Sequence, residues 1–220
     1  MILAVTAGKG GVGKSTVALN LAAELGAVAV DADLAMADLP SARGPDLHDV
    51  LAGRADPVEA VRDCGPVAVL PCGRSLAGAR AVDPAALVDA AEAVAREYGR
   101  TVVDAPAGLH GDAGLPLLAA DACVVVTCPT EAALTDAIRA RELARALDAP
   151  LARVVLNRAG DADTDTVATR LGGPVTRVPE SDAVARANRA GLPVASVAPD
   201  ALAARQFERL AAAVHSAMRS

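Results

Sequence analysis

Seven short runs rich in Val, Ile and Leu recur along the chain: "ILAVTA" at residues 2–7, "AVAVDA" at 27–32, "VAVLP" at 67–71, "TVVDAP" at 101–106, "CVVVTCP" at 123–129, "RVVLN" at 153–157 and "VTRVP" at 175–179. Most are apolar at every position instead of alternating with polar residues. That is the pattern of strands covered on both faces, as in a parallel sheet. Stretches of helical character lie between them, at residues 14–25, 84–98, 131–147, 164–171 and 201–218. Strand and helix therefore alternate, which predicts an α/β fold with a doubly wound, mostly parallel sheet flanked by helices. Gly26 and Gly99 stand at helix C-cap positions and Pro84 at a first turn. With no internal repeat and no linker-like stretch, the 220 residues are expected to form a single domain spanning 1–220.

Composition narrows the function classes. Tyr98 and Phe207 are the only aromatic residues, so the core is built from aliphatics and closely packed alanine helices, not from aromatic anchors. A net charge of -6 argues against a protein that coats nucleic acid, which needs a concentrated basic face. Cys64, Cys72, Cys123 and Cys128 never form C-x-x-C and read as reduced, mostly buried thiols of a cytosolic protein. The first residues form a strand where an export signal would need a basic segment and a longer apolar one. The run "LPLLAADACVVVTCP" is broken by Asp121 and by prolines and is too short to span a bilayer. A soluble, cytoplasmic protein is expected.

The loop between the first strand and the first helix carries the chemistry. Gly8, Gly13, Lys14 and Ser15 fit G-x-x-x-x-G-K-[ST] in the strand-loop-helix context that makes this motif a phosphate cradle. Glycines let the backbone wrap and aim its N–H groups inward, and the helix beginning near Gly13 adds its positive end. Lys14 is placed to reach the β and γ phosphates of a nucleotide, and Ser15 to offer its hydroxyl to Mg²⁺. Asp31 and Asp33 alternate onto one side of the second strand's end, and Asp104 ends the fourth. All three lie at the C-terminal edge of a parallel sheet, where such folds place their ligands.

A second lysine, Lys9, sits five residues before Lys14, more positive charge than one phosphate loop needs. "KGGVGKST", Lys9 to Thr16, resembles the deviant Walker A motif of the MinD/ParA family of ATPases, whose signature is that extra lysine. "VDADL", Val30 to Leu34, is similar to the family's second acidic motif, and "VVDAPAGL", Val102 to Leu109, to its Walker B strand and turn. "LNR", Leu156 to Arg158, and "VPESDAVARANRAGLPV", Val178 to Val194, resemble its base-contacting strand end and late segment. These landmarks run in family order over nearly the whole chain, and the late segment and "DAPAG" are more MinD-like than ParA-like.

The resemblance implies a P-loop NTPase fold of the SIMIBI type, with ATP and Mg²⁺ as ligands. It implies that Gly8, Lys9, Gly10, Gly11, Val12, Gly13, Lys14, Ser15 and Thr16 surround the phosphates, with Thr16 at the α phosphate. Asn157, Arg158 and the backbone around Pro179 would hold adenine, though an Asn closing a strand is also a common turn former. Ser15, Asp31 and Asp104 would support Mg²⁺. Lys9, Lys14 and Asp33 would be catalytic: Asp33 positions the attacking water, Lys14 serves its own subunit, and Lys9 reaches across an ATP-dependent homodimer. The implied function is a slow ATPase switch that controls the localisation or release of an unidentified protein partner or cargo, in cell division or spatial positioning. The alternative is a ParA-type partitioning ATPase acting on DNA or a cargo complex. An iron-sulfur carrier of the same fold would need a C-x-x-C that the sequence lacks.

Departures from the family pattern carry their own expectations. After Asp33 the chain reads "LAMADLPSARG", with Asp38 standing where the family's amide would. The last helix puts Phe207, Leu210, Ala211, Val214 and Met218 on one alanine-diluted face without the bulky cluster of an interfacial anchor. It is expected to dock on the domain, leaving peripheral membrane binding a weaker alternative. Glu131 and Asp136 serve either as first-turn dipole partners or as contacts to ribose or a partner. His48, His110 and His215 are scattered and read as surface or capping residues.

Overall fold

The computed structural model describes residues 1–34, 37–73, 83–108 and 111–219. Among them, all seven expected runs are strands: β1 (Ile2–Thr6), β2 (Val28–Asp31), β4 (Ala68–Leu70), β5 (Thr101–Asp104), β6 (Ala122–Thr127), β7 (Leu151–Asn157) and β8 (Val175–Val178). One more, β3 (Arg62–Asp63), pairs antiparallel with β4 across a tight turn closed by Cys64 N–H donating to the Val67 carbonyl (3.0 Å). Two polar residues, one half-exposed and one exposed, give no periodicity to read, so β3 is visible only once its partner is in place. The sheet order is β3-β4-β2-β5-β1-β6-β7-β8, and every pair apart from β3 with β4 is parallel.

The expected helices form as α1 (Lys14–Leu25), α3 (Ala86–Tyr98), α5 (Glu131–Ala146), α6 (Thr164–Leu171) and α9 (Leu202–Ala217). Gly26 caps α1 in the left-handed region (φ 58°) with Ala27 N–H bonded to the Ala22 carbonyl at 2.9 Å, the geometry that only glycine enters without strain. Asp163 caps α6 by accepting from Asp165 N–H. Pro84 lies in a turn just ahead of α3, not in its first turn. Four further helices lie outside the expected ones: α2 (Leu47–Leu51), α4 (Leu115–Ala119), α7 (Asp182–Ala190) and α8 (Val194–Val197). Three of them span only four or five residues, too few for helical periodicity to be legible, whereas α7, at nine residues, is long enough and carries a cap signal in Ser181, whose hydroxyl accepts from Ala183 N–H.

The central strand β1 sorts the layers. Leu3 and Val5 face a cluster made with α1 and α9, whereas Ile2 and Ala4 face the opposite side, under α3 and under α4, α5 and α6. Helices thus cover both faces, as the all-apolar strands require. Phe207, Leu210, Ala211 and Val214 of α9 are buried in the first cluster, so the apolar face of that helix is docked on the sheet and α1. Among the described residues no helix is long and apolar enough to cross a membrane.

A polar tie crosses this layer. Buried Asn20, in the middle of α1, donates to the Thr16 carbonyl (2.8 Å) and accepts from Val194 N–H (2.8 Å), joining the start of α8 to the helix behind the glycine loop. Asn20→Ala strands the Val194 N–H inside the core and is expected to lower the unfolding free energy by about 1–3 kcal/mol. Urea denaturation measures it; a change within about 0.5 kcal/mol, the usual size for a surface substitution, would show the tie to be dispensable.

Candidate functional site

Between β1 and α1 the chain turns through Gly11 (φ 78°) and Gly13 (φ 94°), both in the left-handed region. Two of the glycines are also demanded by close neighbours. A Cβ on Gly13 would stand 2.2 Å from Asn157 Nδ2, and one on Gly8 would stand 1.9 Å from the Asp136 carbonyl oxygen on α5. Asn157, at the end of β7, donates through that nitrogen to the Val12 carbonyl (2.8 Å) and accepts from Arg158 N–H (3.0 Å), so it latches the loop to the sheet. The loop's shape is therefore set by contacts on both flanks.

Below the loop lie the carboxylates. Asp31 and Asp104 sit opposite each other in the register of β2 and β5, both fully buried. Lys14 Nζ is 2.7 Å from Asp104 Oδ1, an ion pair 6% and 0% exposed on its two sides. Burial pushes the Asp104 carboxyl up, with Lys14 opposing, while Asp104 Oδ2 has no hydrogen-bond partner among the described residues. Asp31 is pushed up to about 7, first by burial and then by the charge of Asp104. Three backbone donors hold it against that push: Asp38 and Leu39 N–H at 3.1 Å to Oδ2, and Asp33 N–H at 3.4 Å to Oδ1. Ser15 Oγ is 3.3 Å from Asp38 Oδ2.

A cavity of about 360 Å³ opens above these groups, lined by Lys9, Gly10, Gly11, Gly13, Lys14, Ser15, Thr16 and Asp33, with Asp38 and Asn188 on its walls. A second pocket of about 190 Å³ adjoins it through Gly13, Thr16, Arg158 and Asn188 and is closed by Asn157, Pro179 and Glu180. The structure thus brings together Lys9, Gly10, Gly11, Gly13, Lys14, Ser15, Thr16 and Asp33 around one space, and Asn157, Arg158 and Pro179 around the next. Gly8 and Val12 stand behind the loop, and Asp31 and Asp104 lie beneath the cavity, not on its wall. Residues the sequence did not single out also belong here. Asn188 donates to Thr16 Oγ1 (3.0 Å) from α7, which leaves the Thr16 proton free to point elsewhere. An isolated Asn in an unread helix carries no signal of that role.

Other expectations resolve differently. Glu131, whose side chain is 82% exposed, forms a salt bridge with Arg170 on α6 at 3.0 Å, and Asp136 pairs with Arg139 at 3.2 Å. Cys72 and Cys123 are buried, while Cys64 and Cys128 are half-buried, and all four are free thiols. His215 is half-buried on α9 and His110 lies outside the described residues. His48, expected at the surface, is buried: it packs beneath the loop after β2 because α2, which carries it, is tucked against the end of β4.

The donor set suits a phosphorylated ligand with a hard cation. The glycine loop and the start of α1 line a space whose walls also carry two lysines, hydroxyls and the Asp33 and Asp38 carboxylates, with buried Asp104 and its unpartnered oxygen beneath. Among the described residues no group of three or more His, Cys, Asp or Glu could hold a metal ion by itself. A cation here needs ligand phosphates to complete its shell, the usual situation of Mg²⁺ with nucleotides.

A parallel sheet whose first strand leads through a glycine loop into a helix, with the loop lysine paired to an acid on a neighbouring strand, defines a P-loop nucleotide-binding protein. The chain belongs to the CobQ/CobB/MinD/ParA nucleotide binding domain family, whose model matches residues 3–194. It is 34% identical to an uncharacterized ATP-binding protein of Methanocaldococcus jannaschii, over 97% of this chain and 88% of that protein. The crystal structure of the cell division ATPase MinD of Pyrococcus furiosus superposes with a TM-score of 0.92 at 30% identity, covering 98% of each chain. The septum site-determining protein MinD of Pyrococcus horikoshii, solved with Mg-ADP, gives 0.90 at 29% identity over 96% of this chain and 93% of that one.

The raised Asp31 carboxyl has a consequence for stability. Its proton is held more tightly in the fold than in the unfolded chain, so its contribution is complete below about pH 4 and is lost as pH rises toward 7. Without nucleotide and with a chelator present, the protein is expected to lose stability between about pH 4 and pH 7, and Asp31→Asn to flatten that slope by about 1–4 kcal/mol. Thermal unfolding across this range checks it; parallel profiles for the two proteins would contradict the buried, proton-holding carboxyl.

Proposed function

We propose that this chain is a MinD-type ATPase switch: it binds Mg-ATP, closes into a homodimer across the nucleotide, and hydrolyses ATP to control where a protein partner or cargo is held. The observation that carries the reading is the contrast between the two lysines. Lys14 is locked to Asp104, whereas Lys9 lines the cavity with no ion pair among the described residues. An amine left at the mouth of a phosphate-sized space is an incomplete half of an interaction, and a second copy facing this one supplies the other half.

Each side chain then has a task. The loop N–H groups and the start of α1 bind the phosphate chain, Lys14 and Lys9 offset charge growing on the transferred phosphoryl group, and the Thr16 hydroxyl, oriented by Asn188, meets an inner phosphate. Asp33, on the cavity wall, aligns the attacking water. Ser15, with Asp31 and Asp104 behind it, would hold Mg²⁺, which neutralises phosphate oxygens when bound. The second pocket, with Asn157, Arg158 and Pro179, takes the adenine. The γ phosphate is the signal, present in the closed form and lost on hydrolysis.

The net charge of -6 supports a protein partner over DNA. The buried apolar face of α9 supports a cytoplasmic protein that does not use that face for membranes.

Removing Lys14 also leaves Asp104 buried without its partner, which costs about 3–5 kcal/mol, so lost activity in Lys14→Ala mixes folding with chemistry. Lys9→Ala and Asp33→Ala are cleaner. Lys9→Ala should bind ATP but fail to dimerise with it in light scattering; ATP-driven dimers of normal stability in that variant would rule out a role across the interface. Asp33→Ala should bind ATP and dimerise while phosphate release slows about 10²–10⁴-fold; a normal rate would move the water-aligning role to another residue.

A further inference from the structure

One buried titratable side chain has no part in the mechanism above. His48 is 2% exposed on α2 and lines neither pocket. Its Nε2 lies 3.3 Å from the Leu34 carbonyl oxygen and 3.5 Å from Cys72 Sγ. A carbonyl only accepts, so Nε2 carries the hydrogen in this contact, and the sulfur, whose own S–H reaches the Gly73 carbonyl, shares it.

The cost of this arrangement points to a purpose. His48 Nδ1 is buried with no hydrogen-bond partner among the described residues. An apolar side chain would fill the same space without an orphaned nitrogen, so packing alone does not account for an imidazole here. The surroundings are also shaped to keep it. A Cβ on Gly73 would stand 2.2 Å from His48 Nδ1 and 2.8 Å from Asp46 Oδ1, so that position is glycine for space. The short helix is held independently of the ring, by the reciprocal cap between Asp46 and Asp49 and by Leu47 N–H donating to the Pro71 carbonyl (2.9 Å) at the end of β4.

What the ring holds is the turn after β2. Leu34 directly follows Asp33, and ties within and beside the turn include Ala32 N–H to the Asp104 carbonyl (3.0 Å), Leu34 N–H to the Ala32 carbonyl (3.1 Å) and the long Asp33 N–H to Asp31 contact. We propose that His48 is a positioning residue for Asp33: its Nε2–H clamps the Leu34 carbonyl and fixes the Asp33–Leu34 turn relative to the cavity. The proposal rests on the reading that Asp33 aligns the attacking water. A carboxylate that aligns water must be held to a fraction of an ångström, and through one imidazole β4 and α2 anchor the carbonyl of the residue that follows it.

The test compares wild type, His48→Leu, His48→Gln and Asp33→Ala for steady-state ATP hydrolysis and for affinity toward N-methylanthraniloyl ADP with Mg²⁺. In His48→Leu, kcat is expected to fall about 10–100-fold with nucleotide affinity kept within about twofold. His48→Gln, whose amide nitrogen donates near the position of Nε2, should recover most of the rate. Wild-type turnover in His48→Leu, a parallel loss of affinity, or a glutamine variant as slow as the leucine one overturns the role. Should the leucine variant not fold, Gly73→Ala, which crowds the ring off Leu34, decides instead: slow turnover with intact affinity supports the clamp, and normal turnover removes it. If Asp33→Ala itself turns over normally, the reading of Asp33 fails and the proposal with it; if Asp33→Ala stops while His48→Leu does not, only the role of His48 falls.

Discussion

The ion pair between Lys14 and Asp104 organises the rest of the molecule. At 2.7 Å and almost without solvent, it joins the first residue of α1 to the last residue of β5, 90 residues apart in sequence, while β5 lies beside β1 in the sheet. A charge pair in such a place is stable only while both partners are present, because either one left alone carries a desolvation penalty of several kcal/mol. The backbone around it has to be right for that pair to exist. β1 must end where the loop can double back, Gly13 must take a left-handed turn, and β5 must lie next to β1 in register. Burial raises Asp31 for the same reason, since Asp104 is its cross-strand neighbour and both are out of water.

Around this centre the fold uses amide side chains as struts. Asn157 ties the loop to β7, Asn20 ties α1 to α8, and Asn188 ties α7 to Thr16. Each is a neutral donor and acceptor that bridges backbone or hydroxyl groups without adding charge to a site already dense in acids. The late part of the chain, α7 and α8, is thereby coupled to the helix that starts at the phosphate loop, and the proposed base pocket and phosphate cavity share the same walls. Such a coupling gives the proposed switch a physical route: a ligand filling one space bears on residues that shape the other.

Much of this was legible from residue patterns, and the misses follow a rule. The five long helices and seven apolar strands declared themselves through periodicity, length and capping residues, and "GKGGVGKST" through its place between a strand and a helix. β3 and the short helices α2, α4 and α8 did not, because two to five residues hold too little pattern to separate helix, strand and turn, and α7 is the exception, a nine-residue helix marked only by its Ser181 cap. His48 departs from the surface or capping role expected of it, because a lone histidine near polar residues gives no sign of burial. Only the packing of α2 against the end of β4 puts it under the Leu34 carbonyl. Glu131 left two roles open, and the structure shows the salt bridge with Arg170 that neither neighbour in sequence predicts.

The sequence by itself determined the fold class, the location of the phosphate loop, the acids at the strand ends and the family, because each rests on local spacing that the backbone geometry converts directly into position. Tertiary structure decided which acid pairs with Lys14, that Asp31 and Asp104 are buried beneath the cavity while Asp33 lines it, that Asn157 latches the loop, and that His48 reaches Leu34. These depend on strand order and on the packing of elements tens of residues apart, and burial, the quantity that sets their charge and their strength, exists only once the sheet is assembled.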